Sequence, residues 1–171
     1  MTKAERKADI ETKLPQLETN MENALLAAEA VYGARENWYS LLEDFTPESQ
    51  KQWLEKYVMP FLDNASLVMN TEGKPQINFS DGSYLSFSVN NQIRDWVYSP
   101  IDGVDTTFVA VSDNNGIGNP INSSFHAYTW SYENATKDEL REKCLSGVSN
   151  LCTAYIKANG WVIPDDYPLE Y

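Results

Sequence analysis

One histidine occurs in the chain, His126, within SSFHAYTW. An imidazole beside a hydroxyl is the minimum for nucleophilic catalysis, since the ring takes the proton as the oxygen attacks, and Ser123 and Ser124 are close enough in sequence to be its partners. Strand alternation puts His126 on the face opposite Phe125, and a lone strand histidine is far more often structural than catalytic. No nucleophile elbow, phosphate loop, His-Glu-x-x-His or dinucleotide fingerprint accompanies it. Carboxylate pairs are plentiful: Glu43 with Asp44, Asp102 with Asp105, Asp165 with Asp166. A glycosidase holds two carboxyls about 5 to 10 Å apart across a cleft, and among 25 acidic residues adjacency singles out none. For a hard cation such as calcium the best candidate is SDNNG, with Asp113 to Gly116 in a tight loop. It lacks the twelve-residue EF-hand pattern and its closing Glu, and Asn-Gly is equally a hairpin turn. The residues therefore predict no catalytic group, no metal and no cofactor.

The two cysteines, Cys144 and Cys152, are eight apart, which fits neither zinc nor a C-x-x-C redox site. They are a disulfide candidate or two buried thiols. On one unbroken helix their Cα atoms would lie about 12 Å apart, beyond the ~7 Å that a bridge spans. A bridge needs a break between them, and LSGVSN offers one, with Gly147 ending a turn and Ser149 as N-cap of the next helical segment.

These groups sit in a chain of 171 residues, which suits one domain able to bury roughly 70% of its unfolded surface. Apolar residues at 42% and aromatics at 12% exclude a disordered chain. Thirteen basic against 25 acidic residues give a net charge of −12, a field that repels phosphate backbones and anionic lipid, so nucleic acid is excluded as a partner. No apolar run is long enough for a membrane span, and MTKAERKADIETK carries charges where a signal peptide carries an apolar stretch.

Four regions position the candidates. Ile10, Leu14, Leu17, Met21, Leu25, Ala28, Tyr32, Tyr39 and Leu42 recur at helical spacing, predicting one long helix over 3–43, with a kink or a helix start near Pro15. Thr46 as cap and Pro47 at the first helical position open a short helix within 46–64, with Trp53, Tyr57 and Phe61 on one aromatic face and Pro60 ending or bending it. Over 67–131 the period becomes two. INFSDGSYLSFSVN holds an Asp81-Gly82 hairpin signal, and VDTTFVAVSDNNG and SSFHAYTW supply further strands, giving an antiparallel sheet. Within 136–171, TKDELREKCL and SNLCTAYIKANG read as short helices, capped by Thr136 and ended by Asn159-Gly160, before a short strand at WVIPDDYP and an irregular tail. The fold class is α+β, a long N-terminal helix packed on an antiparallel sheet in one domain spanning 1–171.

In this order the segments resemble a type IV pilin or type II secretion pseudopilin without its membrane helix. KAERKADIETKLPQLETNMENALLAAEAVY is similar to the amphipathic part of the pilin helix, and KYVMPFLDNAS to the segment that introduces the pilin sheet. INFSDGSYLSFS, DTTFVAVSDNNGIGNP and SSFHAYTW follow the pilin order of hairpin, apolar strand, Asn-Gly loop and aromatic strand. CTAYIKANGWVIPDDYP is similar to a closing signature of bacterial pilin-like proteins. The family's opening Gly-Phe-Thr-Leu-Ile-Glu segment is not in this sequence, so the resemblance implies that it precedes Thr2, with Met1 an added start. The loop after Asn115-Gly116 is shorter than the common pilin pattern, and Ser123 or Ser124 stands near the place of the family's later loop aspartate.

The resemblance implies a disulfide between Cys144 and Cys152 that pins the C-terminal segment, with Trp161 packed on the fold. It further implies a structural subunit of an extracytoplasmic filament, acting in assembly, adhesion or secretion, partnered by other pilin or pseudopilin subunits and by the inner membrane. The precursor would be inner-membrane-anchored and the product a periplasmic or cell-surface filament. Two other classes compete: a secreted carbohydrate- or ligand-binding module, which predicts a row of exposed aromatics on one sheet face, and a small hydrolase, which predicts His126 in a deep pocket with a perturbed carboxylate. The filament reading predicts instead a helix extending at its N-terminal end beyond the globular head.

Overall fold

The computed structural model describes residues 1–38, 46–87, 95–110, 124–129 and 132–171. The first helix, α1, is Lys3–Tyr32, capped by the Thr2 hydroxyl accepting from the Glu5 N–H. Ile10, Leu14, Leu17, Met21, Ala24, Leu25 and Ala28 form its buried stripe. Two expectations need correction. No helix starts near Pro15: α1 begins at Lys3 and continues through the proline, which forfeits one helical bond while the buried residues on either side hold the turns in place. It also stops at Tyr32 instead of reaching 43, because Gly33 turns the chain at φ +84° and its N–H closes on the Glu29 carbonyl. Tyr39 and Leu42 lie outside the described residues.

Helix α2, Pro47–Tyr57, opens with a capping box between Thr46 and Ser49. A 3-10 turn, Met59–Phe61, follows at Pro60. Trp53 and Tyr57 are buried and Phe61 packs against the same core, so the aromatic face is present.

Among the described residues six strands form one antiparallel meander: β1 Ala65–Met69, β2 Pro75–Phe79, β3 Tyr84–Phe87, β4 Asp95–Ser99, β5 Thr106–Val109 and β6 His126–Ala127, in that spatial order. The sheet begins two residues earlier than its sequence pattern indicates. At the Asp81-Gly82 hairpin, Phe79 N–H donates to Ser83 C=O at 2.9 Å and Gly82 takes φ +91°. The Asp81 carboxylate accepts from the Ser83 N–H at 2.9 Å and hydroxyl at 2.5 Å. Burial pushes Asp81 up and these two bonds more than reverse it, leaving it below its ordinary value.

Helices α3, Lys137–Leu145, and α4, Cys152–Ala158, close the chain. Thr136 caps α3 with a capping box to Glu139, as its position indicates. Ser149 does not cap α4; it begins a 3-10 turn, Ser149–Leu151, that leads into it. No strand forms at Trp161–Ile163. Trp161 sits at φ +62°, its N–H returns to the Ile156 carbonyl, and the Ile163 N–H donates to Glu11 of α1 at 2.7 Å, so the segment is a turn pinned to the helix.

A larger apolar cluster joins α1, α2 and the sheet through Leu14, Leu25, Trp53, Ile77, Leu85, Trp96 and Phe108. A smaller one joins β5 and β6 to α3 and α4 through Val109, Ala127, Leu140, Cys144, Cys152 and Tyr155. Phe108 and Val109 project from opposite faces of β5 into different clusters, so that strand is packed on both sides.

Candidate functional site

The polar chemistry of the molecule gathers where α1 meets β6 and the C-terminal tail. Glu11, Glu18, Glu22 and Glu29 are spaced seven, four and seven apart, along the border of the buried stripe. Glu18 accepts from the Ala127 N–H at 3.2 Å and Glu22 from the Phe125 N–H at 2.9 Å. The β5–β6 register and the Tyr128 N–H bond to Thr107 direct His126 and Tyr128 towards β5, which leaves Phe125 and Ala127 facing outwards from the last strand. Two helical carboxylates thus satisfy the donors of a sheet edge. The match is geometric: four residues of helix rise about 6 Å and two residues of strand about 6.7 Å.

The seam continues at both ends. Lys157 of α4 bridges to Glu18 at 2.9 Å, and Glu11 accepts from Lys7 at 2.8 Å as well as from Ile163. Arg35, only 2% exposed, bonds both Glu22 oxygens at 2.8 and 3.0 Å, and reaches Glu29 through its Nε and Nη2 at 3.0 and 2.5 Å. Burial alone would lower the Arg35 guanidinium, but the hydrogen bonds of the two carboxylates raise it above its ordinary value. Burial would likewise raise Glu29, yet bonds from Arg35 hold it below the usual range.

His126 lies beside this seam, half-exposed, with Nδ1 2.6 Å from the Ser124 carbonyl. A carbonyl only accepts, so that nitrogen carries the proton and donates. Open depressions of about 340 and 560 Å³ border the ring, one lined by Glu18, Glu22 and Lys157, the other by Thr129, Tyr132 and Glu133. Neither is the deep pocket that a hydrolase predicts. Ser123 lies outside the described residues, as do Glu43, Asp44 and the Asp113 to Gly116 loop.

The other acidic pairs are engaged separately. Asp102 accepts from the Tyr84 hydroxyl at 3.1 Å and Asp105 from Ser99 at 2.8 Å. Asp166 accepts from Tyr155 at 2.7 Å and from Arg141 at 2.6 Å, and these two bonds, the tyrosine's first, hold it below its ordinary value. It fastens the tail to α3 and α4. Cys144 and Cys152 form a disulfide, with Cα atoms 4.8 Å apart. The break it requires is Gly147 at φ +104°, a conformation that costs glycine nothing and other residues strain.

Among the described residues no group of three or more His, Cys, Asp or Glu side chains is placed to hold a metal ion. No described helix is long and apolar enough to cross a membrane. What the arrangement does chemically is to lock a helix, a sheet edge and a tail together. The carboxylate seam escaped the sequence reading, although the spacing of Glu11, Glu18, Glu22 and Glu29 beside an apolar stripe was its visible signal.

An α+β domain with a polar-pinned N-terminal helix and a disulfide-closed C-terminal segment is the class that fold and site define. The chain belongs to a family of unknown function, DUF6613, whose profile matches residues 1–106 and 103–171. No curated protein and no solved structure matches it.

Proposed function

We propose that the chain is the globular part of a subunit of an extracytoplasmic filament of the type IV pilus or type II secretion pseudopilus kind. The observation that carries this reading is the burial of α1. From Ile10 to Ala28 one stripe is fully packed, whereas none of the residues from Lys3 to Asp9 is buried. The cation–π contact of Lys3 with Tyr171, 4.9 Å to the ring centre, and the Lys7–Glu11 pair are surface contacts there. The first two turns thus run on past the core, in the direction from which a membrane-spanning continuation would arrive. The sheet and the disulfide-closed tail form a head around the rest.

The competing classes draw less support. Tyr32 is the one exposed aromatic among the described residues, so no aromatic row lies on a sheet face, and His126 has no enclosed pocket. In the filament, the helix packs with other pilin or pseudopilin subunits and the head faces outwards. Its precursor is held in the inner membrane, and its work is assembly, adhesion or secretion without catalysis.

The test is the coding sequence upstream of Thr2. About twenty apolar residues opening with a Gly-Phe-Thr-like site and an early Glu support the reading, because one segment then serves as processing signal and membrane span. A gene that opens at Met1, or an ordinary cleavable signal, overturns it.

A further inference from the structure

The two edges of the sheet are treated differently. On β6 the outward N–H groups of Phe125 and Ala127 end on α1 carboxylates. On β1 the outward groups have no partner among the described residues. The register pairs Ser66 with Asn78 and Val68 with Gln76, and the Ser80 N–H to Asn64 C=O and Asn70 N–H to Lys74 C=O bonds extend that bonded series at each end. Residues 64, 66, 68 and 70 therefore bond towards β2, and Ala65, Leu67 and Met69 turn their N–H and C=O groups away from it. Among the described residues none bonds these three donors and three acceptors.

Exposed edges are normally blunted by a charge, a proline, a bulge or a covering element. From Asn64 to Thr71 there is neither a charge nor a proline, in a chain whose net charge is −12. The pairing with β2 runs without a skipped residue, so no bulge twists the edge away. Val68 and Met69 are 37% and 41% exposed.

We propose that β1 is a self-association edge, on which a second copy of this chain adds its own β1 antiparallel about a two-fold axis at Leu67. The choice of a second copy rests on the strand itself. Its outward residues are symmetric about Leu67, so two copies pair Leu67 with Leu67 and Ala65 with Met69 in both directions, using all three donors and acceptors of each. The side chains match in size on that register: large Met69 meets small Ala65 on the core side, and Val68 meets Ser66 on the outer side. Such an isologous contact closes after two chains and continues the six-stranded sheet into its partner. The two bodies are alike in charge, so added salt strengthens the pairing by screening their repulsion. The inference stands whether or not the chain serves in a filament.

The test uses the full chain at rising concentration, with sedimentation for mass and residue-resolved amide hydrogen exchange for the edge. The expected result is a dimer favoured by salt, with exchange at Ala65, Leu67 and Met69 slowed about tenfold or more on association, while Ser66 and Val68 are protected at every concentration. Val68→Glu, on an exposed outer-face side chain, sets two like charges beside the axis and returns the chain to a monomer without loss of folding. A chain that stays monomeric with fast exchange at those three amides overturns the proposal. So does a dimer that persists in Val68→Glu, because another surface then holds it. Protection of the edge only by an added unrelated β-prone peptide also overturns it, in favour of a foreign strand.

Discussion

Replacing Arg35 by Ala removes the hub between the end of α1 and β6. The Arg35 side chain is 3% exposed and its guanidinium is bound on two sides, while the side chains that hold it are about a quarter exposed, 24% at Glu22 and 23% at Glu29. Deleting one partner of a fully buried pair costs about 3 to 5 kcal/mol. Water already reaches these carboxylates and can rehydrate them, which lowers the figure to about 2 to 3 kcal/mol. At a urea slope of about 2 kcal/mol/M, the unfolding midpoint then falls by about 1 to 1.5 M. Trp38 and Trp53 report it, since Trp38 Nε1–H donates to the Gly33 carbonyl beside Arg35 and Trp53 Nε1–H to the Trp38 carbonyl. Arg35→Lys keeps the charge but loses the fork, and should recover only part of the loss. Acid adds an independent check. Glu29 has a lowered folded pKa, so its contribution is complete above its unfolded value of 4.5 and disappears as pH falls through the lower folded value. In Arg35→Ala that acid-sensitive part is absent. A midpoint shift below about 0.5 M, or an Arg35→Lys chain as stable as the parent, refutes the account.

Two other outcomes are expected from the same geometry. The disulfide closes a loop of eight residues, for which chain entropy gives about 2.5 kcal/mol, so Cys144→Ala with Cys152→Ala should lose about that much in urea and the parent should lose the same on reduction; equal stability with and without reductant would show that the bridge constrains nothing. Burial raises Tyr98 and Tyr167 to about 12 each, so their protonated rings contribute stability that is complete below pH 10 and lost as pH rises towards 12. Ultraviolet titration of the folded chain should show two tyrosines ionising last, with unfolding accompanying them, and ten tyrosines titrating together near pH 10 would contradict this.

Elements whose signal is local were legible in the sequence. The α1 stripe, the Thr46 and Thr136 caps and the Asp81-Gly82 hairpin each depend on residues within a turn or two of one another. The misjudged elements depend on distant partners. The period of α1 continues to Leu42, yet Gly33 and the pull of Arg35 on Glu22 and Glu29 end the helix earlier. WVI has strand-forming residues, but no described strand pairs with it, and Glu11, 152 positions away, takes the Ile163 N–H instead. The acidic residues read as an uninformative excess for the same reason, since their partners are backbone N–H groups and side chains elsewhere in the chain, which the adjacency of carboxylates does not reveal.

That excess has a structural logic once the partners are known. An apolar stripe fixes which face of a helix is inward, but it resists sliding poorly, because a shift by one turn brings similar residues over the same surface. The α1 stripe has this weakness, with Leu14, Leu17, Met21 and Leu25 all of comparable size. Glu18 and Glu22 oppose it, since a one-turn shift brings one of them over the other's donor and leaves the remaining N–H, of Ala127 or Phe125, without its carboxylate. Glu11 does the same at the tail through Ile163. The position of α1 along its axis is thus set by polar pins and its rotation by the apolar stripe. The proposed filament role would need both, because load applied to the helix in a fibre would act along the axis, in the direction that the stripe alone leaves weakest.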